Sequence, residues 1–311
     1  MRSSVARLSR WLDHPAILPA LLVAGAVFIG SQVLAAERGD RFSTYDAHVY
    51  WLAARSADPY AATIASGFDD SVNPYKYRYP PPLAQVLAPV ALLPWPVFAG
   101  LWLTLLYCVF LAIAGRWALP LLLLFPPVIA ELYLGNVNLL IAAAVVVGMR
   151  LPAMWAFVLI TKITPGVGVV WFIVRREWRS LGIAFLTSLA VCAVSLALSP
   201  SLWARFVEAM ASQADASVNV PLVAVPISLP IRLALAMALV VYGARTGRLW
   251  TVPIVVTLAA PVIWLNVLVI LIGCIPFLEG RGLVAPWRRT IGAVTARTAP
   301  VDSTDDPIDS P

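Results

Sequence analysis

Charge is scarce in this chain: 12% of its 311 residues are Asp, Glu, Lys or Arg, and it holds two histidines and three cysteines. Each scarcity excludes something. So few charges cannot clothe the surface of a soluble domain of this length. Two histidines give no support to a His-based metal centre. Cys108, Cys192 and Cys274 each lie inside a separate apolar run, without disulfide or metal-ligand spacing, and read as small buried hydrophobes. There is no Walker-type Gly-rich loop, which argues against nucleotide-driven transport, and no Gly-x-Ser-x-Gly elbow. No basic face alternates with exposed aromatics on a soluble element, so nucleic acid is not an expected partner.

What the chain has instead is hydrocarbon. Hydrophobic residues make up 61% of it, in runs that recur from Ile17 to Phe277. A bilayer span takes roughly 20 such residues. Within lipid every backbone N–H and C=O must be satisfied internally, and the runs lack the period-two alternation of a membrane barrel, so they are helices. The expected fold is an all-α, polytopic integral membrane helical bundle with about 8–11 membrane helices, short and broken ones included. Residues 1–280 form its membrane domain, with an outer loop over 37–80; residues 281–311 form a polar tail, expected to be cytoplasmic and disordered.

The net charge of +6 is informative by position. Lys and Arg in short loops mark the cytoplasmic side. They cluster near the N-terminus (Arg2, Arg7, Arg10), at Arg175, Arg176 and Arg179, at Arg245 and Arg248, and at Arg281, Arg288 and Arg289. The first run, Ile17 to Ala36, ends in Val33-Leu34-Ala35-Ala36, which mimics a signal-peptidase site, but its apolar core is longer than a signal h-region and reads as a retained anchor. The N-terminus is then cytoplasmic, and the segments Glu37 to Tyr79 and Pro200 to Pro221 face outward. The expected location is the plasma membrane, with several passes.

Proline and polar residues punctuate the rest. Pro80-Pro81-Pro82 sets an extended entry to helices over Leu83 to Leu93 and Val97 to Ala114, separated by Pro94-Trp95-Pro96. Helices over Leu119 to Leu134 and Leu139 to Met149 flank the hinge Gly135-Asn136-Val137-Asn138. The run Ala153 to Val174 is interrupted at Thr161-Lys162-Ile163-Thr164-Pro165. Spans follow over Leu181 to Leu198 and Leu222 to Tyr242. Thr251 to Phe277, holding Pro253 and Pro261, reads as a broken pair returning to the cytoplasm; one tilted helix with an external C-terminus is the alternative.

Chemistry is expected in the polar island Glu37 to Tyr79. Asp46, beside Tyr45, His48 and Tyr50, has the character of a general base for an acceptor hydroxyl; the competing reading is an interfacial helix from Asp46 to Ala57 with Trp51 in the aromatic belt. Lys76, Arg78 and Tyr79, with Tyr75 and Tyr77, suit a phosphate on a lipid carrier with rings packing on a sugar or prenyl chain, and equally suit snorkelling anchors. Lys162 is an ionisable group at membrane depth, a default functional signal, set against a lysine that merely snorkels. Asn136 and Asn138 either bind sugar hydroxyls or satisfy the backbone of a helix break. Asp58, Asp69 and Asp70 are too dispersed for a metal site; catalysis without a bound ion is expected, with a divalent metal left open.

The order of these pieces resembles glycosyltransferase family 87. The resemblance is carried by an outer loop with an early Asp, Tyr79-Pro80-Pro81, Gly135-Asn136-Val137-Asn138, Lys162-Ile163-Thr164-Pro165 followed by Arg175-Arg176-Glu177-Trp178, and Pro261-Val262-Ile263-Trp264. It implies a glycosyltransferase C architecture and a mannosyltransferase of the actinobacterial, polyprenyl-phosphate-mannose-dependent kind. On that resemblance Asp46 is the catalytic base of an inverting transfer to a glycolipid or lipoglycan, a hexosyl transfer. Tyr45, His48, Lys76, Arg78, Tyr79, Asn136, Asn138, Lys162, Trp264 and Asn266 are its substrate-binding residues. Two positions depart from the family pattern: Asn136 stands where Gln is usual, and Asn266 where a His is common. Two readings compete with the enzyme. A transporter or flippase of lipid-linked glycans would place Lys162 on a translocation path and would be supported by internal repeats, none of which stands out. A non-catalytic membrane subunit would tolerate substitution at Asp46 and Lys162.

Overall fold

The computed structural model describes residues 14–38, 43–60, 77–213 and 227–281, and every regular element among them is helical. The order is α1 Ile17–Glu37, α2 Tyr45–Arg55, α3 Pro81–Ala91, α4 Trp95–Ala114, α5 Ala118–Leu124, α6 Pro126–Leu134, α7 Asn138–Gly148, α8 Trp155–Thr161, α9 Val170–Val174, α10 Trp178–Leu198, α11 Pro200–Gln213, α12 Leu229–Thr246, α13 Thr251–Leu258 and α14 Cys274–Leu278. Stretches of 3-10 helix fill Thr164–Val169 and Leu265–Gly273. Among the described residues four helical stretches are long and apolar enough to cross a membrane: α1, Trp95–Leu124, α10 and α12. The α6–α7 pair, bent by 112°, makes a fifth if it is one span, and Pro152–Thr161, Thr164–Val174 and Leu265–Leu278 are shorter apolar helices. The protein is an all-α polytopic membrane protein, with its short and broken helices at the centre.

Local sequence accounts for where the elements start and stop. Pro opens α3, α4, α6 and α12 within their first two positions, where its missing N–H costs nothing. Gly135, at φ 69°, ends α6 in the left-handed conformation that side chains resist. Leu119 to Leu134, expected as one helix, divides at Phe125, because the residue before a proline is pushed out of helical geometry and two prolines follow. The segment after Leu198, expected as an outward loop, contains α11. The outer-loop residues 61–76, the start of the span expected at Leu222, and the tail beyond Arg281 lie outside the described residues.

Burial sorts the helices. Beyond its first residue, Asn138, α7 is apolar on every face and sits in the middle, with Leu139, Ile141, Ala142, Ala144 and Val145 all sealed. α4 turns Phe98, Trp102, Leu106 and Phe110 inward. α1 and α10, by contrast, bury only 17% and 11% of their most apolar windows, so most of their surface needs lipid to cover it. This corrects the reading of the cysteines: Cys108 is exposed and the other two are partly exposed, since an apolar run does not distinguish a protein core from a bilayer.

α1 is held to α4 by one close approach. The Tyr107 hydroxyl donates to the Leu21 carbonyl at 2.7 Å, and its ring occupies the space beside Gly25. Beyond α1 the chain folds back into the bundle: the Ser43 hydroxyl donates to the Gln32 side-chain oxygen at 2.6 Å. Gln32 lies five residues before the end of α1, so at the helical rise the return is about 7 Å. The Thr44 N–H then donates to the Tyr133 carbonyl at 2.7 Å, docking the start of α2 on the end of α6.

A Cβ added at Gly25 would lie 2.2 Å from the Tyr107 ring. Gly25→Ala is therefore expected to cost about 1–3 kcal/mol, read by denaturant unfolding in detergent micelles, while Gly30→Ala, which meets nothing, should be close to neutral.

Candidate active site

Four discontinuities of the backbone meet at one place: the N-terminus of α2, the Gly135–Val137 hinge, the break at Lys162 after α8, and the break between α13 and the 3-10 stretch that begins at Leu265. Unwound backbone at membrane depth is tolerated where protein or a polar cavity surrounds it, and these breaks carry polar side chains toward one another.

The centre is Glu131, completely buried on α6. One carboxylate oxygen accepts the Leu139 N–H at 3.1 Å, capping the N-terminus of α7, where a negative charge also meets the positive end of the helix dipole. The other oxygen accepts the side-chain amides of Asn138 at 2.9 Å and Asn266 at 3.0 Å. The Asn138 oxygen in turn accepts from the Lys162 ammonium at 2.7 Å. Lys162 thus turns inward and lies within electrostatic reach of both Glu131 and Asp46. Each of these hydrogen bonds to a charged group contributes about 1.5–3 kcal/mol, and each would cost comparably if left unmade in a dry interior.

Asp46, partly exposed, stands in the first turn of α2, beside this network. Its Oδ2 accepts the Asn136 side-chain amide at 2.7 Å, and the Asn136 oxygen accepts the Val137 N–H at 2.7 Å, so the hinge itself aims the amide. Burial raises the Asp46 carboxyl to about 6, opposed by the Asn136 hydrogen bond and by the Lys162 charge. Behind Asp46, Gly135 leaves room for close packing: a Cβ there would lie 2.9 Å from that of Ala47, and its carbonyl accepts the Trp102 indole N–H at 2.7 Å.

Aromatic hydroxyls line the same side. Tyr79 is within hydrogen-bonding reach of Asn136, and its hydroxyl pairs with that of Tyr50 at 3.0 Å. The Tyr60 hydroxyl donates to the Tyr79 carbonyl at 2.8 Å. Tyr45, beside Asp46, has its phenol raised to about 12 by burial and by the neighbouring carboxylate, while the exposed Arg78 acts in the opposite direction.

The structure thus brings Asp46, Tyr45, Tyr79, Arg78, Asn136, Asn138, Lys162 and Asn266 into one region. Trp264, partly exposed, opens the 3-10 turn that delivers Asn266. His48 stands elsewhere: two residues from Asp46 on a helix is a different flank, and its ring stacks on Trp95 at 4.5 Å with its pKa lowered by burial. Lys76 lies outside the described residues. Among the described residues no three His, Cys, Asp or Glu side chains are grouped as metal ligands. Glu131 was not anticipated from the sequence, although a carboxylate inside the apolar run Leu119 to Leu134 carries the same signal as Lys162.

The fold and the site together define a multi-pass membrane protein with a carboxylate-centred polar site between broken helices. The chain belongs to glycosyltransferase family 87, whose model matches residues 77–276, and is therefore a membrane glycosyltransferase. Glu131, Asn136, Asn138, Lys162, Trp264 and Asn266 fall inside the matched stretch and Asp46 lies upstream of it. No curated protein and no solved structure matches the chain.

Glu131→Gln keeps one acceptor and turns the other into an amide N–H₂ that faces a donor, either the Leu139 N–H or the two Asn amides. A loss of about 1–3 kcal/mol is expected, measured by denaturant unfolding in lipid nanodiscs.

Proposed function

We propose that this protein transfers a mannosyl unit, with inversion, from a polyprenyl-phosphate donor to a hydroxyl of a glycolipid or lipoglycan at the extracytoplasmic face of the plasma membrane. The observation that carries the reading is the partly exposed Asp46 carboxylate, fixed by Asn136, in a member of this glycosyltransferase family. Held at Oδ2 by the Asn136 amide, the Asp46 carboxylate receives the acceptor's proton. As that proton moves to Asp46, the acceptor oxygen bonds to the anomeric carbon from one side and the bond to the phosphate oxygen breaks on the other. The electron pair leaves with the polyprenyl phosphate, and the anomeric centre inverts.

The departing charge needs cations. Arg78 is exposed and within electrostatic reach of Tyr45, and Lys76 is two residues away in sequence. Lys162, joined to Asn138 and near Glu131, supplies positive potential from inside. The tyrosines at 45, 50 and 79 and the partly exposed Trp264 offer rings for sugar and prenyl surfaces. Orientation follows the basic clusters, which place the N-terminus in the cytoplasm and Asp46 outside.

The test is label transfer from radiolabelled polyprenyl-phosphate mannose to a membrane-lipid extract by purified protein in lipid. Wild type is expected to form a labelled glycolipid and Asp46→Asn to be slower by about 10²–10⁴-fold. Equal transfer by both would remove Asp46 as the base, and absence of transfer by wild type would overturn the assigned donor or acceptor. Because the base acts as its carboxylate, wild-type kcat/KM should fall as pH drops through about 6, tenfold per unit below it. A profile flat down to pH 4.5 would contradict that role.

A further inference from the structure

Arg232 is the one buried cation that the mechanism above leaves unused among the described residues. It lies in the first turn of α12 and is 3% exposed. Its guanidinium faces backbone oxygen. Nε donates to the Ile227 carbonyl at 2.9 Å, one terminal nitrogen to the carbonyls of Leu258 at 2.9 Å and Ala260 at 2.5 Å, and the other terminal nitrogen to that of Pro261 at 2.8 Å.

Three of those carbonyls belong to the end of α13 and the irregular chain just after it. The last carbonyls of a helix have no partners of their own, and a cation there also meets the negative end of the helix dipole. The irregular chain then runs from Ala259 through Pro261 to Trp264 and into the 3-10 turn that carries Asn266. At its far end Asn266 is held by Glu131. The break is therefore gripped at two points: a guanidinium on one side and a carboxylate on the other.

We infer that Arg232 is a positioning residue for transfer: it fixes the Ala259–Trp264 break and thereby sets Trp264 and Asn266 against the Glu131 network, without touching substrate. A planar fork with five N–H donors suits four carbonyls in this arrangement, and lysine, with three donors on a point charge, does not. A purely architectural arginine would lower stability and leave the chemistry of the surviving folded protein intact. Displacing the break shifts one wall of the site, and misplacement by about 1 Å costs on the order of 10²-fold in rate. The inference rests on the reading that transfer takes place at the Asp46–Glu131 site.

Two measurements on full-length protein in nanodiscs test it. The first is independent of catalysis: hydrogen exchange of the amides of residues 262–266 in wild type, Arg232→Lys and Arg232→Gln. Faster exchange in Arg232→Gln, with α4 and α7 unchanged and Arg232→Lys intermediate, is expected; unchanged exchange over 262–266, or a rise spread evenly over the whole protein, would overturn the inference. The second is a double-mutant cycle on kcat/KM for label transfer with Arg232→Gln and Asn266→Ala. Each single variant should lose at least about tenfold and the double little more than the worse single, because both act through the same wall. Multiplicative losses would overturn it, as would full activity of Arg232→Gln. If wild type transfers nothing from the chosen donor, the exchange result still decides whether Arg232 holds the break, and the failure belongs to the assigned substrate alone.

Discussion

A carboxylate sealed inside a membrane protein is stable only when the surroundings are built to receive it. Glu131 sets that requirement here. It takes one backbone N–H and two side-chain amides, and these come from the start of α7, just after the hinge, and from a break more than a hundred residues later in the chain. The broken helices are then the form that satisfies the carboxylate, since an unbroken α6–α7 helix would present neither the Leu139 N–H nor the Asn138 amide in this way. The cost of one buried charge is met by the geometry that makes a polar site possible.

The site divides into an interior and a rim. Glu131, Asn138 and Asn266 form the buried interior, connected by hydrogen bonds, and Lys162, partly exposed, joins it through Asn138. Tyr45 and Asp46, partly exposed, and Arg78, exposed, belong to the rim. Asn136 joins them, touching Asp46 with its amide and the hinge with its oxygen.

Hydrophobic run length and prolines made the helical architecture legible, together with the hinge at Gly135-Asn136-Val137-Asn138 and the interruption at Lys162. What they could not convey is which side of a helix meets protein and which meets lipid, because both environments select the same residues; Cys108 is the example. Asp46, Asn136, Asn138 and Lys162 stood out as polar groups in apolar surroundings. Glu131 stood out no less but lay within a run read as one continuous helix, and Arg232 was absorbed into a span for the same reason. Their partners are carbonyls and amides distant in sequence, and no local pattern announces such a pairing.

The amide of Asn138 has two unlike ends, and the structure uses both. Its nitrogen side is claimed by Glu131, so its oxygen side is turned toward Lys162. The amide therefore works as a polarity adaptor: the charge on Glu131 dictates which way it points, and that direction dictates whether Lys162 meets an acceptor or a donor. A carboxylate and an ammonium too far apart for a direct ion pair are in this way made to sense each other's sign through a neutral group.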